Sequence, residues 1–531
     1  MAAVETAPAR PRDAAYPRGW APVLAGRFLL SAAESAPDAP AVVSGQQSFT
    51  YAHLAAAAEA YRESLHAAGL RHGDAVVVQM EPSFEAVATL AACSESGCVF
   101  VPQNADTPAE RVAAVCRAVD ARGFVTGPAG PPLDGAAPRA DVHAVASPRG
   151  LDVAQSSLSG GRRDRRTIES DTAYVVFTSG STGEPKGIVM THRATVAAFR
   201  AIAHCCRAHE RLASCSPLGF DFCLLDMAAA LGTGRTILFV PKRLALHPRR
   251  LVEFLRDEDV QQVHGVPSIW TMLLRHAADE LATLRSLRRV VAAGEEFPIA
   301  TVRRLRERLP ALEVVNCYGQ SESICCTFYD VPNPVPDDWS AVPIGSAYPG
   351  AELLLVGDDG ELVDDDGVPG ELYLRAASLF SGYWRSPAET ERVLVPDPLA
   401  PDTSARVLRT GDIAVRGEEG FRFAGRRDLQ VQIYGNRVEL EEVERCVARA
   451  DGVSAAAATV LEEGDAPAVV ALVVASAGAA DDTRIRAHCR RSLPDYMVPR
   501  RIGIVERIPL TASGKIDRAT VKTLAERMAS Q

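Results

Sequence analysis

The segment from Tyr174 to His192, YVVFTSGSTGEPKGIVMTH, constrains the fold of this chain more than any other. Its first residues, YVVF, predict a buried strand because they are aromatic and β-branched, and IVM predicts a second strand after the loop. The loop holds glycines, which let a backbone approach an anion closely, and hydroxyl and N–H groups that can bind phosphate oxygens. With Lys186 as a point charge, the segment predicts a phosphate-binding loop.

The spacing of this loop separates it from other phosphate loops. It does not follow G-x-x-x-x-G-K-[ST], the pattern of ordinary NTPases. A Gly/Ser-rich surface hairpin is the alternative interpretation, and the density of donors favours phosphate binding over it. We therefore expect phosphate chemistry on a nucleotide.

Length and charge limit the class of protein. A chain of 531 residues is too long for a single core and predicts two or more domains. The net charge of −10 argues against a general nucleic-acid or membrane-surface role. No window approaches about eighteen uninterrupted apolar residues, so we expect no transmembrane helix.

The N-terminus and the cysteines bear on the compartment. The first residues contain Arg and Pro but lack the apolar stretch of a secretory signal. The 12 cysteines are scattered, without a C-x-x-C pair or the spacing of zinc sites. These observations predict a reduced, cytoplasmic protein.

Apolar strand-like runs alternate with amphipathic helical runs, which predicts an α/β architecture with mainly parallel sheets. The predicted strands include residues 75–80, 98–103 and 123–127, and the predicted helices include 84–93 and 108–119. Residues 128–170 are rich in Gly, Pro, Ala, Ser and Arg and predict an exposed excursion. From about residue 345, short strands with Gly and Asp turns predict a β-rich subdomain.

The natural domain boundary lies at Asp428. It gives a large N-terminal domain, residues 1–427, of mainly parallel sheets with the β-rich subdomain. It leaves a small α+β C-terminal domain, residues 428–531, of a normal size for a domain.

Nine further segments carry recognisable motifs. They are FTYAHL (49–54), FDFC (220–223), AAGEE (292–296), NCYGQSE (316–322), GELYL (370–374), RTGD (409–412), GRRDLQVQIYGNRVELEEVE (425–444), LPDYMVP (493–499) and LTASGKID (510–517). Together with the glycine-rich loop they resemble, in order, the adenylate-forming superfamily of acyl-CoA synthetases, luciferases and nonribosomal amino-acid adenylation domains. The resemblance spans nearly the whole chain.

The resemblance implies an ATP site with Mg²⁺. It places Asn316 at the adenine and makes Glu322 the Mg²⁺ ligand, since Mg²⁺ prefers one or two carboxylates with phosphate oxygens. Asp412 is expected to accept both ribose hydroxyls. Most relatives have Pro where this chain has Gln320, a departure expected to touch loop rigidity more than ligand chemistry. The residues implied for ATP are Thr178, Ser179, Gly180, Ser181, Thr182, Gly183, Lys186, Gly294, Glu295, Glu296, Asn316, Tyr318, Asp412 and Arg426.

The resemblance also implies a catalytic lysine and a hinge. Attack of a carboxylate on the α-phosphate of ATP develops negative charge around phosphorus, and a lysine in a dry site stabilises it. Lys515 in ASGKID holds that position, although a Lys after Ser-Gly is otherwise a solvated loop residue. Asp428 holds the hinge position, where the backbone turns between two domain orientations.

Asp221 in FDFC distinguishes between the acids that the family activates. In amino-acid activators the matching Asp takes the substrate ammonium, a charge pair that suits a desolvated pocket. Aryl- and fatty-acid activators usually lack it. The alternative interpretation of Asp221 is a loop cap.

The remaining pocket positions are neutral and predict a small or modest apolar side chain, with alanine as the first expectation. Phe222, directly after Asp221, could instead reposition the amine, which keeps a β-amino acid open. The implied pocket is Asp221, Phe222, Leu225, Gly265, Val291, Ala293, Cys317, Cys325 and Cys326, with Lys515 at the carboxylate.

The expected partner is an acyl or peptidyl carrier protein loaded in trans, since no G-G-x-S attachment signature follows Gln531. The expected setting is the biosynthesis of a nonribosomal peptide or polyketide antibiotic. An acyl- or aryl-CoA ligase is the alternative among enzymes. A silent nucleotide-binding protein is disfavoured because Lys186, Glu322, Asp412 and Lys515 are all present.

Overall fold

Two eight-stranded sheets form the larger part of the molecule. The computed structural model describes residues 23–44, 47–128, 140–156, 165–180, 185–428, 430–463, 466–476, 480–510 and 515–529. Within these ranges no helix is both long and apolar enough to cross a membrane.

The helices and strands are numbered in chain order. The α-helices are α1 Ala25–Leu29, α2 Tyr51–Ala67, α3 Phe84–Ser96, α4 Ala109–Val119, α5 His192–Cys206, α6 Phe222–Leu231, α7 Lys242–Ala245, α8 Pro248–Asp257, α9 Pro267–His276, α10 Ala278–Leu281, α11 Ile299–Arg308, α12 Pro387–Val393, α13 Leu440–Ala448, α14 Asp482–Ser492 and α15 Arg518–Ala529. The strands are β1 Pro40–Ser44, β2 Gln47–Thr50, β3 Ala75–Gln79, β4 Val99–Gln103, β5 Gly123–Thr126, β6 Val142–Ser147, β7 Gly150–Ser156, β8 Thr172–Thr178, β9 Lys186–Thr191, β10 Arg211–Ser214, β11 Thr236–Phe239, β12 Gln262–Gly265, β13 Arg289–Ala293, β14 Glu313–Tyr318, β15 Thr327–Asp330, β16 Ala351–Val356, β17 Pro369–Ala376, β18 Gly382–Tyr383, β19 Leu394–Pro396, β20 Arg406–Gly417, β21 Gly420–Arg426, β22 Gln430–Ile433, β23 Asn436–Glu439, β24 Val453–Glu463, β25 Ala466–Ala475 and β26 Arg501–Ile504.

The two large sheets are mixed and mostly parallel, as the sequence predicts. The first has the order β15-β14-β13-β12-β10-β11-β1-β2, and its pairings from β14 to β1 are parallel. The second has the order β18-β9-β8-β4-β3-β5-β6-β7, with a parallel centre from β8 to β6. Helices α3, α5 and α6 contribute to one apolar core shared by strands of both sheets. The apolar side chains of these helices cover strands of the sheets. This cover suits parallel pairing, because parallel strands are buried on both faces.

One prediction about this part of the chain was wrong. Residues 128–170 were expected to form an exposed excursion, but 142–156 form the antiparallel hairpin β6–β7 at the edge of the second sheet. Val142, His143, Ala144 and Ala146 are buried. This short and mostly apolar run provides the strand signal, which the surrounding Gly, Pro and Arg residues obscure.

The β-rich region and the C-terminal part also match expectation. Strands β16, β17, β19, β20 and β21 form an antiparallel five-stranded sheet. The chain then forms the β22–β23 hairpin and a three-stranded sheet, β24-β25-β26, with helices α13, α14 and α15. The α/β fold with a large N-terminal part and a small C-terminal part is therefore confirmed, while the boundary at Asp428 stays a prediction.

A buried ion pair joins the two parts. Arg111 on α4 donates to Glu442 on α13 over 2.7 Å, and their side chains are 9% and 5% exposed. Burial of two charges is costly, and removal of one partner leaves the other buried without compensation. The ion pair therefore favours the observed seating of α13 against α4.

We expect Arg111→Ala to lower the free energy of unfolding by about 3–5 kcal/mol, because it strands the Glu442 carboxylate. Denaturant midpoints of the full chain measure this change. The double variant Arg111→Ala/Glu442→Gln removes the stranded charge and should recover most of the loss. Equal midpoints for the wild type, the single variant and the double variant would show that the ion pair contributes nothing.

Candidate active site

A cavity of about 1830 Å³ lies at the carboxyl ends of β12, β13 and β14 and extends to the C-terminal part. The parallel register sets Ala292 beside Asn316 and Ala293 beside Cys317. Ligands of open α/β sheets bind outside the carboxyl ends of the strands, where loops from several strands converge. The cavity is therefore the candidate active site. Its wall includes Thr178, Ser179, Asp221, Phe222, Ala293, Gly294, Cys317, Gln320, Arg426, Gly435 and Arg437.

Asp221 lies on the cavity wall just before helix α6 and is only 2% exposed. Its side chain makes no capping hydrogen bond to the helix, although the backbone N–H of Phe222 helps to stabilise the carboxylate. Its Oδ2 atom is buried and has no hydrogen-bond partner within the described residues. Burial raises the pKa of Asp221 to about 7, and the nearby Ser321 hydroxyl opposes this shift while the Glu322 carboxylate adds to it. Asp221 is thus a buried acceptor that lacks a cation.

The other predicted pocket residues either line the cavity or lie behind its wall. Phe222, Ala293 and Cys317 line the cavity with Asp221. Gly265 packs against Ile269 and Cys215, where a Cβ atom would lie 3.1 Å and 3.2 Å from their side chains. Four further residues are fully buried behind the wall and do not line the cavity: Leu225, Val291, Cys325 and Cys326.

A polar network that the sequence analysis missed holds helix α6 in place. Asp226 accepts from Ser214 over 2.5 Å and pairs with His264 Nδ1 over 2.7 Å. Gln262 lies 2.7 Å from the other nitrogen of His264. The ring of His264 lies 6.0 Å from that of Phe222 on the cavity wall. An Asp inside an otherwise apolar helix was the available signal.

Asp412 is held by three side chains. Tyr318 Oη and Gln320 Nε2 donate to Asp412 Oδ2 over 2.5 Å and 2.7 Å, and Arg426 donates to Oδ1. Burial raises the pKa of Asp412 above its ordinary value, while Arg426, Tyr318 and Gln320 counteract the shift. Gln320 also donates to the carbonyl of Thr410 over 2.9 Å. Gln320 was expected to affect loop rigidity more than ligand chemistry, and the structure shows that its amide contacts the Asp412 carboxylate itself.

The phosphate loop contacts the C-terminal part. Ser179 Oγ donates to the carbonyl of Arg437 over 2.7 Å and accepts from the Glu439 N–H over 3.2 Å. The carbonyl of Gly180 accepts from Arg445 over 3.3 Å. The Ser179 hydroxyl expected at phosphate therefore binds the chain's own backbone in this arrangement, and the neighbouring Gly180 carbonyl accepts from an arginine. The predicted residues Ser181, Thr182 and Gly183 lie outside the described residues.

Lys186 begins strand β9 opposite Thr178. Its ammonium pairs with Glu389 over 2.9 Å and lies 5.5 Å from the centre of the Tyr383 ring. Burial lowers the pKa of Lys186 below its ordinary value, and the Glu439 and Glu322 carboxylates oppose this shift. The lysine is held at the end of the loop by a carboxylate and an aromatic ring.

The predicted adenine-side residues meet the β22–β23 turn. Asn316 Nδ2 donates to the carbonyl of Pro343 over 2.9 Å, so its amide is held by backbone. Gly294 has φ +87°, and an added Cβ atom would lie 3.2 Å from Gly435. Glu295 accepts from the Gly435 N–H over 2.9 Å, whereas Glu296 is exposed. Glu295 therefore fixes the turn rather than facing open space.

Glu322 does not fit a metal ion in this arrangement. Its carboxylate accepts from Arg437 over 2.9 Å and 3.1 Å and from Tyr383 over 2.7 Å. Although burial raises the pKa of Glu322, the Arg437 guanidinium and the Tyr383 hydroxyl outweigh this effect and hold it below its ordinary value. No group of three His, Cys, Asp or Glu side chains suited to a metal occurs in the described part of the chain. Arg437 supplies the cation that the carboxylate needs.

Lys515 and Asp428 lie apart from the substrate end of the cavity. Lys515 is exposed and does not line the cavity, whereas Gly435 and Arg437 do. Asp428 accepts from Arg426 Nε over 2.7 Å and from its terminal nitrogen over 2.9 Å. Burial raises the pKa of Asp428, but the Arg426 bonds outweigh it and lower the pKa below its ordinary value. Asp428, the predicted hinge residue, is thus paired with Arg426, which also donates to the predicted ribose carboxylate Asp412.

Two family profiles match most of this chain. The profile of the family described as AMP-binding enzyme matches residues 29–384, and that of the AMP-binding enzyme C-terminal domain matches 442–515. The solved structure of IdnL1 is 43% identical with a TM-score of 0.83, covering 91% of this chain and 98% of that one.

Two curated relatives show similar coverage of this chain. The L-proline–[L-prolyl-carrier protein] ligase of Pseudomonas fluorescens is 30% identical over 499 residues, covering 91% of this chain and 95% of the relative. The phenyloxazoline synthase MbtB of Mycobacterium tuberculosis is 34% identical over 503 residues, or 93% of this chain. This chain spans only 34% of that synthase.

We expect Arg437→Gln to bind Mn²⁺ about tenfold more tightly than the wild type without nucleotide, because it removes the cation that competes for Glu322. Electron paramagnetic resonance titration of free Mn²⁺ measures this affinity. Arg445→Gln is the matched control, since it also removes one positive charge but contacts Gly180 and Glu441 instead. Equal gains in both variants would indicate a general charge effect and contradict competition at Glu322.

Proposed function

The chain belongs to the AMP-binding enzyme family, and from this premise we propose that it activates a β-amino acid with ATP and loads it onto a carrier protein. In the first step a carboxylate oxygen of the substrate bonds to the α-phosphorus of ATP, and pyrophosphate leaves. In the second step the phosphopantetheine thiol loses its proton, sulfur bonds to the acyl carbon, and AMP leaves. ATP and the carrier are thus co-substrates.

The observation that carries this proposal is the uncompensated carboxylate of Asp221. A buried charge is retained only with a partner, and Asp221 Oδ2 has none within the described residues. A substrate ammonium supplies the missing cation. A simple acyl or aryl acid brings no such cation and leaves the carboxylate buried and unpaired, which disfavours the CoA-ligase alternative.

The cavity wall supports a β-amino acid over alanine. An α-amino acid carries its amine and side chain on the carbon next to the carboxylate, and the side chain then needs room at the pocket floor. Four of the predicted pocket positions are buried behind the wall and offer no such room: Leu225, Val291, Cys325 and Cys326. A β-amino acid instead places one carbon between that carbon and the amine, and the ring of Phe222 beside Asp221 limits branching there.

The position of the C-terminal part supports assigning this arrangement to the transfer step. Adenylation needs a cation at the α-phosphate, and Lys515 does not line the cavity here. Gly435 does, with φ +74°, and an added Cβ atom would lie only 2.4 Å from Val266. We infer that rotation at Asp428 exchanges Lys515 for the β22–β23 turn between the two steps.

Arg437 takes part in this exchange as the partner of Glu322. While Arg437 contacts both oxygens of Glu322, the carboxylate is closed to other cations. Withdrawal of the C-terminal part would leave Glu322 with the Tyr383 hydroxyl as a donor but without a cation, which is the state in which it can accept Mg²⁺ near the phosphates. The metal assignment of the sequence analysis is thus proposed for the rotated arrangement only.

We expect pyrophosphate exchange into ATP to be stimulated most by β-amino acids. A panel of matched pairs, each a β-amino acid, its α-isomer and the acid without an amine, measures kcat/KM for each class. The amine should raise kcat/KM at least about tenfold, since it pairs with a buried charge that otherwise lacks a partner. Stimulation by α-isomers alone would refute the β assignment, and stimulation by the amine-free acid alone would refute the role of Asp221.

The KM for the amino acid should fall about tenfold per pH unit as pH rises from 5 to 7 and then level off. The pKa of Asp221 is about 7, and Glu322 and Tyr174 are its charged or titratable neighbours. Below that pH the carboxyl is neutral, and it must ionise to pair with the ammonium. Exchange kinetics at fixed ionic strength measure this profile, with the KM for ATP as internal control. Asp221→Asn should remove the dependence; an unchanged profile in that variant would assign it elsewhere.

A further inference from the structure

The side chain of Gln320 lies between the cavity and the predicted ribose carboxylate. Gln320 and Arg426 line the cavity, whereas Asp412 does not and is only 3% exposed. A sugar in the cavity therefore meets the Gln320 amide before it meets Asp412. The residue expected to accept both ribose hydroxyls is thus covered by Gln320.

The hydrogen bonds fix the orientation of this amide. Both contacts of Gln320 Nε2 are to acceptors, the Thr410 carbonyl at 2.9 Å and Asp412 Oδ2 at 2.7 Å. Since neither a carbonyl nor a carboxylate donates, the nitrogen must face Thr410 and Asp412. The carbonyl oxygen Oε1 is then the remaining polar atom of the amide, and it has no hydrogen bond within the described residues.

The capacity of Asp412 is also largely used. A carboxylate offers about four acceptor sites, and Tyr318, Gln320 and Arg426 occupy three of them. One site remains for two ribose hydroxyls. A second acceptor is required nearby, and Gln320 Oε1 is an acceptor on the cavity wall held by a charged group.

We propose that Gln320 is a ribose-binding residue of this chain, whose amide is anchored on Thr410 and Asp412 and offers its carbonyl oxygen to one ribose hydroxyl. This inference rests on the proposed use of ATP. Asp412 then acts on that hydroxyl through Gln320 and accepts at most the other one directly.

Equilibrium binding of ATP, 2′-deoxy-ATP and 3′-deoxy-ATP to the full chain tests this inference. We expect the wild type to bind one deoxy analogue about tenfold more weakly than ATP, which is the effect of one lost hydrogen bond in a closed site. Gln320→Ala and the volume-conserving Gln320→Met should weaken ATP about tenfold and bind ATP and that analogue equally. Gln432→Ala is the matched control, because Gln432 also lines the cavity but contacts none of Asp412, Thr410 or Tyr318.

The outcomes separate this inference from the proposed function. Loss of discrimination in both Gln320 variants, with discrimination retained in Gln432→Ala, would support the ribose contact. Retained discrimination, or equal weakening of all three nucleotides as a purely structural role predicts, would overturn it. A wild type that binds none of the three nucleotides would refute the proposed function itself.

Discussion

Buried carboxylates and the cations that pair with them organise this active site. Glu322 has Arg437, and Asp412 has Arg426. Asp221 is equally buried, but its Oδ2 has no partner within the described residues, and burial raises its pKa to about 7. Because an uncompensated buried charge is strongly destabilising, the substrate cation proposed to bind at Asp221 would compensate the ionised form of this carboxyl.

The same requirement links the two parts of the chain. The cation for Glu322 comes from the β22–β23 hairpin, and the cation for Glu442 on α13 comes from Arg111 on α4. Each ion pair is broken if the C-terminal part rotates, so any rotated arrangement must offer Glu322 and Glu442 other partners. Nucleotide with its metal is a chemically suitable replacement at Glu322, since that carboxylate lies beside the phosphate loop. In the proposed function, nucleotide binding would thus offset the cost of breaking the pair at Glu322.

The fold was largely predictable because its signals are local. Strands β3 and β4 and helix α3 follow from short apolar runs and their period, and the β6–β7 hairpin was missed where Gly, Pro and Arg residues surround a pattern of only a few residues. The site was less predictable because its decisive contacts are remote in sequence. Arg437 meets Glu322 across 115 residues, and nothing in either motif indicates that pairing. Motif register located Asp221, but only the structure shows that its carboxylate is unpaired.

One guanidinium joins the ribose site to the hinge. Arg426 donates to Asp412 through one nitrogen and to both oxygens of Asp428 through the others. A ribose hydroxyl that donates to Asp412 competes there with Arg426, whose charge is shared between the Asp412 and Asp428 carboxylates. Stronger binding of Asp412 by the sugar then leaves Arg426 more available to Asp428, and weaker binding has the reverse effect. Since the backbone at Asp428 is the proposed point of rotation, the proposed function would couple nucleotide occupancy to domain orientation through this single side chain.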